Sequence, residues 1–469
     1  MSVFHVFPIF IYFHTMNKHV LYFTFFFGLA GIFTGCGDSD SNGNIIGPQK
    51  GDSSSSVESS SAEPVPVVKP IDYSKAVAMN KKLGKGINFG NTFDATCETC
   101  WGAGPVEKAQ VDYVAKMGFQ TARLPVRWDE ATSKEPPYTI EPSYIARIKE
   151  VLGFFKDNKM RVMMNMHHHD SFIYDLVYTD EACNSKTYNQ RKSSCNNSSG
   201  SVNSENLEKN LARVDSIWAQ ISREFKDYDN DFLLFELFNE PVYGVSAEIH
   251  NEMIKRTYPI IRATNPGRTL VYNTYPWGGI NGIKKLELPE DGNIIIDIHY
   301  YEPQSFTHQG HNSKCDVSNP VIWEDTRANK EKIPSDFANM RQFANDRFPA
   351  VNPEGIPITI GEFGVSTCNN VASKALWTKY VVAAADSMNM SWQYWAFTSV
   401  GGFEVYKKST GIWEVPVVAA LGADTTGLAK IIIPDKVVEE TKTEETTDSG
   451  TEEKTEDSEE KTEDTSSEG

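Results

Sequence analysis

Eight short apolar runs, most of them separated by amphipathic stretches, predict an α/β protein: a single (β/α)8 TIM barrel with an N-terminal signal and tether and a disordered acidic C-terminal tail. Two other observations point the same way. Residues 71–434 contain no second linker, no repeat and no compositional break, which favours one large domain. The 469 residues are 40% hydrophobic and 23% charged, a balance that supplies a sizeable core and excludes a disordered chain, a collagen or a multi-span membrane protein.

The N-terminus reads as an address. Val20 to Phe33 is apolar, with Lys18 before it and Thr34-Gly35-Cys36 after it. The stretch is too short to span a bilayer as a helix, and it suits the hydrophobic segment of a secretory signal. It resembles a bacterial lipoprotein signal, with translation starting at Met1 or Met16 and cleavage before Cys36 leaving that thiol as the lipid attachment point. The expected product is exported, in the cell envelope or outside it, and held to a membrane by its lipid. Residues 37–70 turn to Ser, Gly, Pro and Glu, including Ser53 to Ser56 and the series Pro64, Pro66 and Pro70, which makes a tether.

Six cysteines besides Cys36, an even number in an exported chain, predict disulfides. Cys183 with Cys195 would close one polar loop and Cys315 with Cys368 would join two others. Cys97 and Cys100 could form a local bridge.

The predicted strands are 86–89, 121–125, 161–166, 233–237, 269–272, 294–298, 358–361 and 391–395, and the predicted helices 106–117, 144–158, 207–225, 247–263, 337–348 and 372–388. The fifth helix is weak, since residues 276–291 hold only a short helical pattern. The domain ends near Pro434. Residues 435–469 follow with 15 acidic residues against four lysines and almost nothing apolar, so they cannot offset the entropy of ordering.

Barrel chemistry sits at the C-terminal ends of the strands. Polar residues directly after each run should therefore converge: Asn91, Arg123, His167 and His168, Asn239 and Glu240, Tyr275 and Trp277, His299 and Tyr301, Glu362, and Trp395. Glu240 ends the fourth strand and Glu362 the seventh, across the mouth from each other. Hydrolysis of a glycosidic bond needs a proton donor and, with retention, a carboxylate nucleophile about 5 to 5.5 Å from it. Glu236 shares the face of Glu240 and points into the barrel, where it needs an interior Arg or His as partner. Arg127 and Trp128 fit a cleft wall or plain packing equally. Trp101, Trp277, Trp323 and Trp395, with Tyr275, fall in loops on the active face, and a row of flat rings suits a long β-linked polymer. The formal charge of −18 argues against a nucleic-acid partner.

The ordered set Arg123, His167, Asn239-Glu240-Pro241, His299-x-Tyr301, Glu362 and Trp395, spread over residues 80–415, resembles the family 5 glycoside hydrolases of clan A, which include cellulases and β-mannanases. The resemblance implies that Glu240 is the acid/base and Glu362 the nucleophile. Asn239 would bind the sugar 2-hydroxyl, Arg123 and Tyr301 would hydrogen-bond to Glu362, and His299 would lie by Glu240. His167 and His168 would contact substrate hydroxyls and Trp395 would floor the subsite beside the scissile bond; Trp277, outside the ordered set, is a substrate-binding candidate by its place in a loop on the active face. The expected activity is that of a monomeric retaining endo-β-1,4-glucanase that needs no cofactor or metal. The alternatives are a β-mannanase, a xyloglucan-active enzyme, or a glycan-binding lipoprotein without turnover. The run His167-His168-His169-Asp170 also carries a metal-hydrolase reading, disfavoured because such enzymes place their histidine pair on strand one.

Overall fold

The computed structural model describes residues 69–169, 202–311, 315–398 and 402–428. The signal with Cys36, the tether, Asp170, Cys183, Cys195 and the acidic tail lie outside the described residues.

All eight predicted runs hold strands: β1 (Lys85–Asn88), β2 (Thr121–Leu124), β3 (Arg161–Asn165), β4 (Leu233–Glu236), β5 (Leu270–Asn273), β6 (Ile294–His299), β7 (Ile358–Phe363) and β8 (Ser391–Tyr394). They pair in parallel and in sequence order, and β8 returns to β1 to close the barrel. Strands of this kind are covered on both faces and read as nearly continuous apolar runs, as β6 does with Ile-Ile-Ile-Asp-Ile-His wholly buried.

The helices α1 (Ser74–Leu83), α2 (Lys108–Lys116), α3 (Pro142–Asp157), α4 (Ser204–Glu224), α5 (Ala247–Thr264), α6 (Gln304–Thr307), α7 (Arg327–Arg347), α8 (Val371–Ser387) and α9 (Val415–Ala420) accompany the barrel. Side-chain caps set several starts. Asn203, Ser246, Thr326 and Asn370 each accept a backbone N–H from the first turn of α4, α5, α7 and α8. The weak fifth unit is a 3-10 turn, Ile280–Lys285. Helix α7 begins ten residues before the predicted start at Phe337. Arg327 to Lys332 is polar apart from Ala328, so of its buried stripe of Ile333, Phe337, Met340 and Ala344 only Ile333 stands ahead of Pro334, too little apolar pattern to mark the start.

Helix α1, which the strand rhythm did not predict, closes the N-terminal end of the barrel. Its Ala76, Met79 and Leu83 pack on Met163, Leu234, Val271 and Ile295, which point inward from β3 to β6. Two residues further along the same strands the interior turns polar: Asn165, Glu236, Asn273 and Asp297, all fully buried. The barrel is thus apolar at its base and hydrogen-bonded in its middle, directly below the mouth.

Candidate active site

That polar layer is organised by Arg123 on β2, itself fully buried. Its Nε and Nη2 donate to the two oxygens of Glu236 at 2.8 and 2.7 Å, Nη1 donates to Glu362 Oε1 at 2.6 Å and to Asn88 Oδ1 at 3.0 Å, and Nη2 also donates to Asn239 Oδ1 at 2.6 Å. A guanidinium fork suits this task because its donors lie in fixed directions. Glu236 has the interior arginine its parity required, and it also accepts from Asn165 at 3.1 Å.

Glu362, at the end of β7, accepts a second hydrogen bond from the Tyr301 hydroxyl at 3.0 Å. His299 lies between the two acids. Its Nδ1 is 2.8 Å from Glu240 Oε1 and 3.5 Å from Glu362 Oε2, and its Nε2 is 3.3 Å from Asp297 Oδ2. Carboxyl oxygens of Glu240 and Glu362 lie within 4.8 Å of each other, the short spacing that leaves no room for a water to attack from between them. Glu362 is almost buried, whereas the Glu240 side chain is 29% accessible at the rim.

The charges are interdependent. Burial disfavours a charged imidazole at His299, yet the carboxylates of Glu362 and Asp297 and the bond to Glu240 raise it to about 10. Burial pushes Glu362 up to about 7 against the lowering fields of His299 and Arg123, and the charge of Glu240 adds to the rise. At Glu240 the upward pull of burial is outweighed by the His299 bond and by the positive charges of His299, His168 and Arg123, so its carboxyl is lowered. The two acids titrate as a pair, which keeps one proton from below the ordinary carboxylate range up to about pH 7. Arg123 and Tyr301 donate to Glu362 while His299 bonds Glu240, so each acid has a partner that favours its charged form and the one proton belongs to the pair.

Several mouth residues have left-handed backbones: Asn91 (φ 59°), His168 (φ 48°), Glu240 (φ 43°), Tyr243 (φ 54°) and Trp277 (φ 50°). Such strain gathers where side chains must be aimed. His167 is buried with its charged form strongly disfavoured by that burial and by nearby cations, and its Nδ1 lies 3.2 Å from the Asn165 amide. Its ring stacks in parallel on Trp395 at 5.9 Å. The Trp395 indole occupies the space above Gly90, where a Cβ would approach it to 2.7 Å. Gly361 has the same role for Asp297, whose carboxylate fills the volume a side chain at 361 would need and accepts the Gly361 N–H at 2.7 Å.

The cleft beside the acids is about 760 Å³ and is lined by Glu240, Tyr243, Trp277, His299, Tyr301 and His308 among others. A larger cavity of about 1040 Å³ opens at the other end of the barrel, beside Lys85 and Ser391 at the starts of β1 and β8. Asp386 is the one acid in its lining, so it offers no facing carboxyls.

Every residue of the ordered set lies at this mouth. Trp323 does not: it is 4% exposed and packs against Phe306 and Tyr380, because its loop folds inward over α8. Trp128 is also core, its indole N–H donating to Asn165 O at 2.9 Å, and Arg127 is buried beside Asp129 and Glu130. Tyr275 is half-buried and His169 fully buried. Disulfides join Cys97 to Cys100 and Cys315 to Cys368. The second ties the loop after Tyr301 to the loop after Glu362. Asn88, Asn165, Asn273 and Asp297 were missed by the sequence reading, although the parity argument that found Glu236 applies equally to Asn165 below His167 and Asp297 below His299.

Among the described residues, three groups could hold a cation by distance: Asp94 with His167 and His168, Glu236 with Asp297 and His299, and Glu240 with His299 and Glu362. A metal-ligating imidazole must be neutral, which disfavours the two groups containing the raised His299. The trio at Asp94, His167 and His168 fits by donor type.

A closed parallel barrel with two carboxyls facing each other at its C-terminal mouth defines a class, the barrel glycoside hydrolases. The profile of the cellulase family, glycosyl hydrolase family 5, matches residues 85–401, and the chain belongs to that family. Endoglucanase H of Acetivibrio thermocellus is 27% identical over 352 residues, covering 73% of this chain and 33% of its own length. The cellulase/esterase CelE of the same organism is 27% identical over 381 residues, 76% of this chain and 41% of CelE, so the chain spans between a third and two-fifths of these relatives. Among solved structures, endoglucanase Cel5A of the hyperthermophile Thermotoga maritima is 29% identical, with a TM-score of 0.62 over 75% of this chain and 100% of Cel5A. Cel5A has been solved with mannotriose and with cellobiose.

Proposed function

We propose that the chain is a retaining endo-β-1,4-glucanase acting by double displacement, exported and anchored through a lipid on Cys36. The observation that carries the reading is the pair Glu240 and Glu362, within 4.8 Å of each other across the mouth of a family 5 barrel. Glu362 attacks the anomeric carbon while Glu240 protonates the leaving oxygen. Glu240 then takes a proton from the water that releases the sugar from Glu362. Arg123 and Tyr301 hold the charge on Glu362 before attack. Asn239, fixed by Arg123, offers its amide N–H to the sugar 2-hydroxyl, and Trp395 lies under the reacting ring. The relatives that support a glucan substrate are endoglucanases, and the mannotriose complex of Cel5A gives β-mannan a place as the second reading.

Digestion of carboxymethyl cellulose, glucomannan and xyloglucan with product sizing tests this. Release of short β-1,4-gluco-oligosaccharides from internal bonds is expected, and no reducing ends from any polymer would sink the enzyme reading. Full activity should survive exhaustive chelation, and loss reversed by a divalent cation would revive a role for the trio at Asp94, His167 and His168. The kcat/KM profile should be bell-shaped. Below its acid limb both carboxyls are protonated and no nucleophile remains, and above about pH 7 the last proton leaves and no acid remains. A profile flat from pH 6 to 9 would contradict the shared proton.

A further inference from the structure

His167 is 2% exposed, and burial together with the nearby cations strongly disfavours its charged form, so the ring is neutral, with one donor nitrogen and one acceptor. Which nitrogen carries the proton is decided by the partner of the other. Here the deciding partner is Asn165, fully buried at the end of β3, two positions before the histidine.

Two neighbours fix the Asn165 amide independently of the imidazole. The Val126 N–H donates to its Oδ1 at 3.2 Å, and a backbone N–H can face only an acceptor. On the other side, Nδ2 donates at 3.1 Å to Glu236 Oε1, a carboxylate oxygen that is ion-paired to Arg123 at 2.7 Å and can only accept. Turning the amide over would set two donors face to face at Val126 and two acceptors face to face at Glu236. The NH2 group is therefore what meets His167 Nδ1, at 3.2 Å. Nδ1 accepts, and the single proton sits on Nε2.

The ring has little other freedom. The His167 backbone N–H donates to Val126 O at 2.7 Å, and the imidazole stacks in parallel on Trp395 at 5.9 Å and meets His168 edge-on at 4.3 Å. Arg123 stands at the head of two branches. Directly, its Nη2 takes Asn239 Oδ1 and leaves that amide its NH2 to donate elsewhere. Through Glu236 and Asn165, it leaves His167 with a donor at Nε2. One guanidinium thus sets the hydrogen-bonding sense of two mouth residues on different strands, and a group already fixed in its bound form loses less freedom on binding.

We propose that Asn165 is a positioning residue that locks His167 in the Nε2–H tautomer, so that the ring meets a sugar hydroxyl only as a donor. The sugar contact rests on the glucanase reading; the tautomer does not.

Long-range proton–nitrogen correlation spectra of the full chain carrying isotope-labelled histidine read the tautomer without substrate, the His167 signals being identified by their loss in His167→Phe. The parent should show Nε2 protonated and Nδ1 bare near neutral pH, even if it cleaved no glucan. An Nδ1–H ring or an imidazolium would overturn the proposal. Asn165→Asp puts an oxygen where the NH2 stood and should move the proton to Nδ1, and Asn165→Leu, with no amide, should release a mixture. Pure Nε2–H in either variant would remove Asn165 from the role. Should neither variant fold, the parent spectrum decides. In kcat/KM on cellohexaose, Asn165→Leu and His167→Phe should each lose roughly tenfold, the scale of one hydrogen bond, and the double variant should lose no more than His167→Phe alone. Losses that multiply in the double variant would mean that Asn165 serves the fold and not the imidazole.

Discussion

Glu362→Ala is expected to lower kcat by on the order of 10^4 or more, the scale seen when a group acting in covalent catalysis is removed, with circular dichroism and melting temperature close to the parent's. The fold should tolerate the change because Arg123 keeps both bonds to Glu236 and those to Asn88 and Asn239, and His299 keeps Asp297 and Glu240, so each buried cation retains a carboxylate partner. Loss of a buried carboxyl also removes one of the acids crowded round His299. The role can be separated from simple damage by adding azide, which enters the space left by the carboxylate and attacks the anomeric carbon from that side. A β-glucoside with a good leaving group would then give the α-glycosyl azide. Glu240→Ala should instead accumulate the glycosyl-enzyme and give the β-azide, since azide replaces water in the second step. A Glu362→Ala enzyme within tenfold of the parent, or azide products of the opposite configurations, would overturn the assignment.

The strands and the mouth residues were legible because a buried parallel strand is a short apolar run and the polar residue after it has one place to go. That logic reached Glu240, Glu362, His299 and Tyr301 without knowledge of any contact. It also reached Glu236, because two-residue parity along β4 allows an inward charge only with a partner. The same parity was available for Asp297 and Asn165. Asn88 carries no such marker, since Gly90 stands two positions further along the chain. The tryptophans show a different limit. Trp101, Trp277 and Trp323 all fall in loops after strands, and what buries Trp323 is Phe306 and Tyr380, brought from separate elements. Helix α1 escaped notice because its apolar face answers to the base of a barrel that exists only once β3 to β6 are assembled.

Arg123→Ala is expected to be the most destabilising single change in the site, costing about 3 to 5 kcal/mol, the usual range when one partner of a buried ion pair is removed. A domain has only about 5 to 15 kcal/mol in total, so the variant should melt far below the parent or accumulate as insoluble protein. The asymmetry with Glu362→Ala follows from the contact map. Without the guanidinium, Glu236 is left fully buried with the Asn165 amide as its remaining side-chain donor, and Glu362 and Asn239 lose the group that orients them. Arg123→Lys should recover little, since a single ammonium cannot reach Glu236, Glu362 and Asn239 in three directions. If the cost is the stranded charge, removing it should restore stability: Arg123→Met combined with Glu236→Leu should be more stable than Arg123→Met alone, with a coupling of more than about 1 kcal/mol in denaturant unfolding. The restored fold should remain inactive, because Glu362 and Asn239 would still lack their orienting donor. Additive losses in the double variant, or an Arg123→Ala chain as stable as the parent, would show that Arg123 is not the keystone of the polar layer.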